Sequence, residues 1–261
     1  MPPVFHRYKG AGKLTWLCWS LDFFNLPPCQ HLRISTVQLA LFDLDHTLLD
    51  GDSDVLWYHY LAEQGVVDAK RFTTKRAHFS ADYREGRLQV EDFYAFVLKP
   101  LADNPLQQLQ AWRRRFVATC ILPRITAAAR ALLNRHRDAG HTLAIITATN
   151  RFITEPIAAE LEVPHLLATE PEYDGTRFTG RVLGTPCFRE GKLLHLRAWL
   201  YRENLRPTET WFYSDSHNDL PLLENVDHPV VVNPDVQLTK TSETRGWPIM
   251  HMRHTATISA A

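Results

Sequence analysis

The sequence predicts an α/β fold: a doubly wound parallel sheet with a helical cap inserted after the first strand. Three observations carry this. "VQLALFDLD" (37–45), "HTLAIITAT" (141–149), "TETWFYSDS" (208–216) and "HPVVVNP" (228–234) are short apolar runs of the kind that form strands buried on both faces. The helix-like "RITAAARALLNRHRDAG", with Gly140 as its stop, precedes the second run, and strands separated by helices imply a parallel sheet. Residues 53–124 contain no strand-like run; their apolar residues recur at helical spacing instead, as at Val55, Tyr58, His59, Leu61 and Ala62, then Phe93, Phe96 and Val97.

Taken in order, residues 1–36 read as an N-terminal appendage, residues 37–52 and 125–261 as the core, and residues 53–124 as the cap. The appendage carries "LTWLCWSLDFFNLPP", which Asp22 interrupts and which falls short of the ~20 residues of a membrane span. A signal peptide is disfavoured because no small-residue cleavage site follows. An upstream stretch ahead of a start near Val37 is the plainer reading. Within the core, "ATEPEYDGTRFTGRV" (168–182) is expected to form a small antiparallel hairpin turning at Asp174-Gly175. The cap aromatics Trp57, Tyr58, Phe79, Tyr83, Phe93, Tyr94 and Phe96 are read as the bundle's own core, with one or two at its mouth able to touch a ligand.

Bulk properties narrow the function. Lysine plus arginine and aspartate plus glutamate number 29 each, so no global field favours nucleic acid or an anionic membrane. Cys18, Cys29, Cys120 and Cys187 are scattered without a C-x-x-C pair, which argues for reduced thiols in a cytoplasmic protein rather than disulfides or a zinc site.

The chemistry concentrates in "LFDLDHTLLDGDSD" (41–54), which places five aspartates behind a buried strand. Side chains at i and i+2 of an extended segment project to the same side, so Asp43 and Asp45 both face the crevice at the carboxyl end of the sheet. The third strand ends alike, in "SDSHND" with Asp215 and Asp219. Several carboxylates delivered to one spot call for a hard cation, and Mg²⁺ with its oxygen ligands suits them. His46 and His217 flank these motifs but are not expected to bind a metal that prefers oxygen.

Four motifs in order make the sequence similar to the haloacid-dehalogenase-like hydrolases, and within them to the phosphoserine-phosphatase-like branch: "DLDHT" (43–47), "IITATN" (145–150), "REGKLLHL" (189–196) and "SDSHNDLPLL" (214–223). Ala148 and Thr149 replace glycines often seen after the second motif, and Ser214 replaces one before the fourth. The resemblance implies Asp43 as nucleophile and Asp45 as general acid and base. It implies Thr147, with nearby backbone N–H groups including that of Ala148, as holder of phosphoryl oxygens, and Lys192 as charge neutraliser. Mg²⁺ would be held by Asp43, Asp45 through its carbonyl, and Asp215, with Asp219 and Asn218 ordering the metal shell and Lys192. Asp45 favours phosphate over halide chemistry, because a halide leaves unprotonated while an alkoxide needs a proton.

For the substrate, the resemblance points to a small phosphorylated metabolite. The acidic position that meets a substrate ammonium in phosphoserine phosphatases matches Asp52, which reads equally well as the cap of the following helix. In "EGRLQVEDFYAFV" (85–97) the position of their carboxylate-binding arginine matches Ala95. That disfavours phosphoserine and puts histidinol phosphate first. A phosphotransferase or mutase on the same scaffold, and a non-catalytic binding module, are the alternatives.

Overall fold

The computed structural model describes residues 34–84 and 87–252. Most of the expected appendage, residues 1–33, lies outside the described residues; Ser35 and Thr36 already belong to the first strand, β1 (Ser35–Phe42). The end of β1 is completely enclosed, and its alternation sorts side chains into two cores. Ala40 and Phe42 pack into the layer that continues into the cap, whereas Leu39 and Leu41 pack into the layer on the opposite face. This is why the run is apolar at every position: both faces of the strand are covered.

After β1 the chain turns sharply, with His46 in the left-handed region at φ 59°, and enters four helices: α1 (Ser53–Glu63), α2 (Ala69–Arg84), α3 (Val90–Asp103) and α4 (Leu106–Phe116). A π-helical turn (Val117–Ile121) and a 3₁₀ turn (Leu122–Arg124) lead back. Trp57, Leu61, Leu98, Leu101, Leu109 and Phe116 form the buried centre of this helical layer. Outgoing and returning segments are stitched together by the Asp50 N–H to Arg124 carbonyl bond (2.9 Å) and an antiparallel bridge between Leu49 and Ile125. Gly51 sits at this crossing with φ 149°, and a Cβ there would stand 3.3 Å from Leu56 Cδ1 and 3.4 Å from Arg124 Cδ.

The remaining chain runs through α5 (Ala127–Asp138), β2 (Thr142–Asn150), α6 (Arg151–Glu160) and β3 (His165–Thr169), then through a hairpin of β4 (Pro171–Tyr173) and β5 (Phe178–Val182). It finishes with α7 (Glu190–Arg202), β6 (Leu205–Ser214), α8 (Leu220–Leu223), β7 (His228–Val232), α9 (Val236–Arg245) and β8 (Ile249–Met250). The main sheet is parallel throughout, in the order β3-β2-β1-β6-β7-β8. Connections leave β1 toward β2 on one side and reach β6 on the other, so the crevice at the carboxyl end of β1 is the place where strand order reverses.

The sheet, the helical layer and the hairpin agree with the sequence reading. In the hairpin, Asp174 Oδ1 accepts from the Thr176 and Arg177 N–H groups (2.8 and 2.9 Å), closing the expected turn. Strands β3 and β8 were not anticipated: five and two residues give too little pattern to separate from loop. β1 also begins two residues earlier than expected, and β6 three.

Candidate active site

Three strand ends meet at one cavity of about 750 Å³. Asp43 follows β1 directly and is held in line by its N–H to the Tyr213 carbonyl (2.9 Å). Thr147 lies in the second half of β2, 1% exposed. Asp215 follows β6. From the opposite layer, α7 delivers Lys192 into the same place, 2% exposed. Gly191 makes that entry possible: a Cβ there would stand 2.0 Å from the Pro186 carbonyl oxygen.

Lys192 Nζ donates to Asp43 Oδ1 (2.8 Å) and to Asp219 Oδ2 (2.7 Å). Burial alone would push this ammonium down, but Asp219 and Asp43 hold it well above its ordinary value, so it stays charged. Asp43 also accepts from Thr47 Oγ1 (3.3 Å). Asp219 Oδ2 further accepts from Ser214 Oγ (2.7 Å), which gives the serine that replaces a glycine a definite job.

Asp45 points toward the helical layer. Its Oδ1 accepts from the Ser53 N–H at the start of α1 (2.7 Å) and its Oδ2 from Thr149 Oγ1 (2.8 Å). Ala148 lines the cavity, and its carbonyl accepts from Thr169 Oγ1 (2.7 Å) and Tyr94 Oη (3.3 Å), tying α3 to the end of β2. Asn218 also lines the cavity, on the 3₁₀ turn after Asp215, where its N–H is held by Ser216 Oγ (3.2 Å).

The carboxylates of Asp43, Asp45, Asp215 and Asp219 are not all turned to one point. Among the described residues, no group of three acidic, histidine or cysteine side chains is arranged to hold a metal. Asp219 is committed to Lys192 and Ser214, and the Asp45 carboxylate to Ser53 and Thr149. What remains is two carboxylates, Asp43 and Asp215, plus backbone oxygen at Asp45. This suits Mg²⁺, which keeps several waters and takes one or two protein carboxylates. The electrostatics agree: burial, with mutual repulsion, lifts the carboxyls of Asp43 to about 7, Asp45 to about 6 and Asp215 to about 9. Carboxyls crowded in this way beside a single ammonium call for further positive charge.

At the other end of the cavity, Asp52 is the N-cap of α1: its Oδ1 accepts from the Val55 N–H (2.9 Å). Its Oδ2 accepts from Arg76 Nη2 of α2 (2.7 Å). Asp54, in the first turn of the same helix, lines the cavity too, and burial with repulsion from Asp52 and Asp45 raises its carboxyl well above the ordinary range. Phe72, Phe79, Phe93, Tyr94 and Phe96 form an apolar wall above it. Of the aromatics read as bundle core, Trp57 and Tyr58 are buried there, 1% and 4% exposed, but Phe79, Phe93, Tyr94 and Phe96 face the cavity; the side chain of Tyr83 lies outside the described residues.

Ala95 requires a correction. It stands on the exposed side of α3 and is absent from the cavity lining, so it marks no vacant carboxylate site. The arginine that does reach the cavity comes from α2, as Arg76. Sequence spacing could not reveal this, because only helix packing decides which face of α3 looks inward. Both flanking histidines line the cavity, and His217 is also tied through Nδ1 to Asp235 (2.8 Å), the N-cap of α9.

A buried carboxylate–ammonium pair at the switch point of a parallel sheet, roofed by helices, is a candidate active site for chemistry at an anionic group. The sequence matches the haloacid dehalogenase-like hydrolase family over residues 40–224, and the chain belongs to that family. It is 40% identical over 220 residues to a histidinol-phosphatase of Neisseria meningitidis serogroup C, covering 82% of this chain and 99% of that protein. It is 31% identical over 223 residues to a phosphoserine phosphatase of Mycobacterium tuberculosis, covering 84% of this chain and 72% of that one. The crystal structure of a protein of unknown function from Bordetella pertussis Tohama I superposes with a TM-score of 0.78 at 42% identity, covering 83% of this chain and 99% of the other. Within the family, the chain is a phosphomonoesterase of the phosphoserine-phosphatase-like type.

Proposed function

We propose that the protein hydrolyses a small cationic phosphomonoester, with histidinol phosphate as the leading substrate and phosphoserine second. The observation that carries this is the division of the cavity. One end holds Asp43, Thr147 and Lys192, suited to a phosphoryl group. The other has two carboxylates, Asp52 and Asp54, against one guanidinium, Arg76, beneath an aromatic wall. A substrate with a cation and a flat ring matches that end. A substrate carboxylate would meet the carboxyls of Asp52 and Asp54, and the guanidinium there, Arg76, is already paired with Asp52. The 40% identical histidinol-phosphatase supports the same choice.

In this reading Asp43 attacks phosphorus through its carboxylate, forming an aspartyl-phosphate as the bond to the leaving oxygen breaks. Asp45 donates the proton that the leaving alkoxide needs, then takes one from the water that releases phosphate and restores Asp43. Lys192 keeps Asp43 correctly placed and offsets repulsion between two anions. Thr147 and the adjoining backbone hold the phosphoryl oxygens. When bound, Mg²⁺ supplies further neutralisation of the phosphoryl charge, with Asp43, the Asp45 carbonyl and Asp215 as its holders. Asp219 serves through Lys192, as its contacts indicate.

Among the described residues no helix is long and apolar enough to cross a membrane. The test is kcat/KM with Mg²⁺ for histidinol phosphate, phosphoserine, phosphoethanolamine and a generic aryl phosphate. Histidinol phosphate should lead; phosphoserine ahead by tenfold overturns the substrate choice.

A further inference from the structure

The acid that phosphoserine-phosphatase-like enzymes offer to a substrate cation corresponds in sequence to Asp52, yet in this protein both oxygens of Asp52 are engaged. Oδ1 caps α1 through the Val55 N–H at 2.9 Å, and Oδ2 takes Arg76 at 2.7 Å. Arg76 thus already meets Asp52 with a positive charge, which opposes a second cation at the same carboxylate. Asp54 differs. It lines the same cavity from the first turn of α1, and the hydrogen bond the protein gives it, from Asn150 Nδ2 to Oδ1, is long at 3.4 Å. Thr149 lies within reach of it, but that hydroxyl has one proton and directs it to Asp45 Oδ2 at 2.8 Å. Asn150 is itself committed through Oδ1 to capping α6.

We infer that Asp54, not Asp52, is the specificity-determining residue that receives the cationic group of the substrate, with Arg76 holding Asp52 out of that role. The consequence is geometric. Asp54 lines the same cavity as Phe72, Phe79, Phe93 and Phe96, so a ring borne by a cation seated on it has apolar neighbours.

This inference rests on the reading that the substrate carries a cation, and the experiment separates the two. The probes are an aminoalkyl phosphate and the alkyl phosphate of equal length, compared by the ratio of their kcat/KM values, with histidinol phosphate measured in parallel. The unaltered protein should favour the cationic member at least tenfold. Asp54→Asn should lower that ratio at least tenfold, whereas Asp52→Asn, which keeps the helix cap through its amide oxygen, should move the ratio less than threefold. Should turnover of Asp54→Asn be too slow to measure, equilibrium binding of the same two phosphates to Asp43→Asn and to Asp43→Asn with Asp54→Asn gives the ratio without chemistry. A ratio near one in the unaltered protein, an Asp54→Asn ratio unchanged within threefold, or an equal loss with Asp52→Asn overturns the assignment. Failure of histidinol phosphate with the ratio intact removes that substrate and leaves Asp54 in place. A Tm change for Asp54→Asn with an unchanged ratio would mark it as a first-turn helix acid only.

Discussion

Lys192 Nζ stands 2.8 Å from Asp43 Oδ1, although 149 positions separate them in the chain. The pair is buried, with side chains 3% and 10% exposed, so the ammonium reports directly on the carboxylate it holds. Asp43→Asn keeps the shape and removes the charge. Turnover should fall at least ~10⁴-fold, on the scale of losing a covalent nucleophile, with the fold intact by circular dichroism. Residual activity above about a hundredth of wild type, far more than such a loss allows, would remove Asp43 from the nucleophile's role.

Asp219 is the other anchor of Lys192, and it also holds Ser214. Asp219→Asn leaves the buried ammonium with one carboxylate in place of two. Stability should drop by about 2–4 kcal/mol, in the range for breaking a buried ion pair, and kcat should fall while the bound metal content stays near wild type. Loss of metal as the primary effect, read by titration calorimetry, would instead return Asp219 to the metal shell.

The Gly191 site predicts a packing defect with a functional readout. Gly191→Ala forces a Cβ to within 2.0 Å of the Pro186 carbonyl oxygen unless α7 moves. Overpacking of this kind costs about 1–3 kcal/mol, and any shift of α7 carries Lys192 with it. Both Tm and kcat should fall. A variant with wild-type values of both would show that the loop before α7 yields freely.

Mg²⁺ should raise the melting temperature of metal-stripped protein, since it binds the folded state and relieves the crowding of Asp43 and Asp215. At a hundredfold excess over its dissociation constant, linkage gives about 2.7 kcal/mol. Scanning fluorimetry with EDTA and with Mg²⁺ checks this. No shift at millimolar Mg²⁺ would count against the proposed ligand set. Asp215→Asn should reduce the shift sharply.

His136 predicts acid sensitivity remote from the active site. It is 4% exposed, with Nε2 2.8 Å from Tyr213 Oη and Nδ1 2.8 Å from His141 Nδ1. Burial, then the neighbouring His141 and Arg135, depress its value from 6.5 to about 4. A histidine kept neutral by folding contributes stability that is full above about pH 6.5 and is lost as pH falls toward 4. The loss should be of order 2 kcal/mol after screening. Urea midpoints at pH 7 and pH 4.5 should converge in His136→Gln, and an unchanged pH slope there would assign the acid sensitivity elsewhere.

The sequence by itself determined the sheet, the helical layer and the phosphoryl end of the cavity. Runs such as Leu39–Phe42 must be covered on both faces, and the acids that follow them must leave the sheet at its carboxyl edge, so Asp43 and Asp215 converge by topology alone. The short strands β3 and β8 carried too little pattern to be read. The substrate end was decided by tertiary structure. Whether Ala95 or Arg76 faces the cavity depends on how α2 and α3 rotate about their own axes, which packing against Tyr58, Phe72 and Phe96 sets. The split of roles between Asp52 and Asp54 likewise follows from Arg76 arriving 24 positions later in the chain. Local patterning fixes which residues leave a strand end together; partners brought in by helix packing decide which of two neighbouring carboxylates is left to meet a ligand.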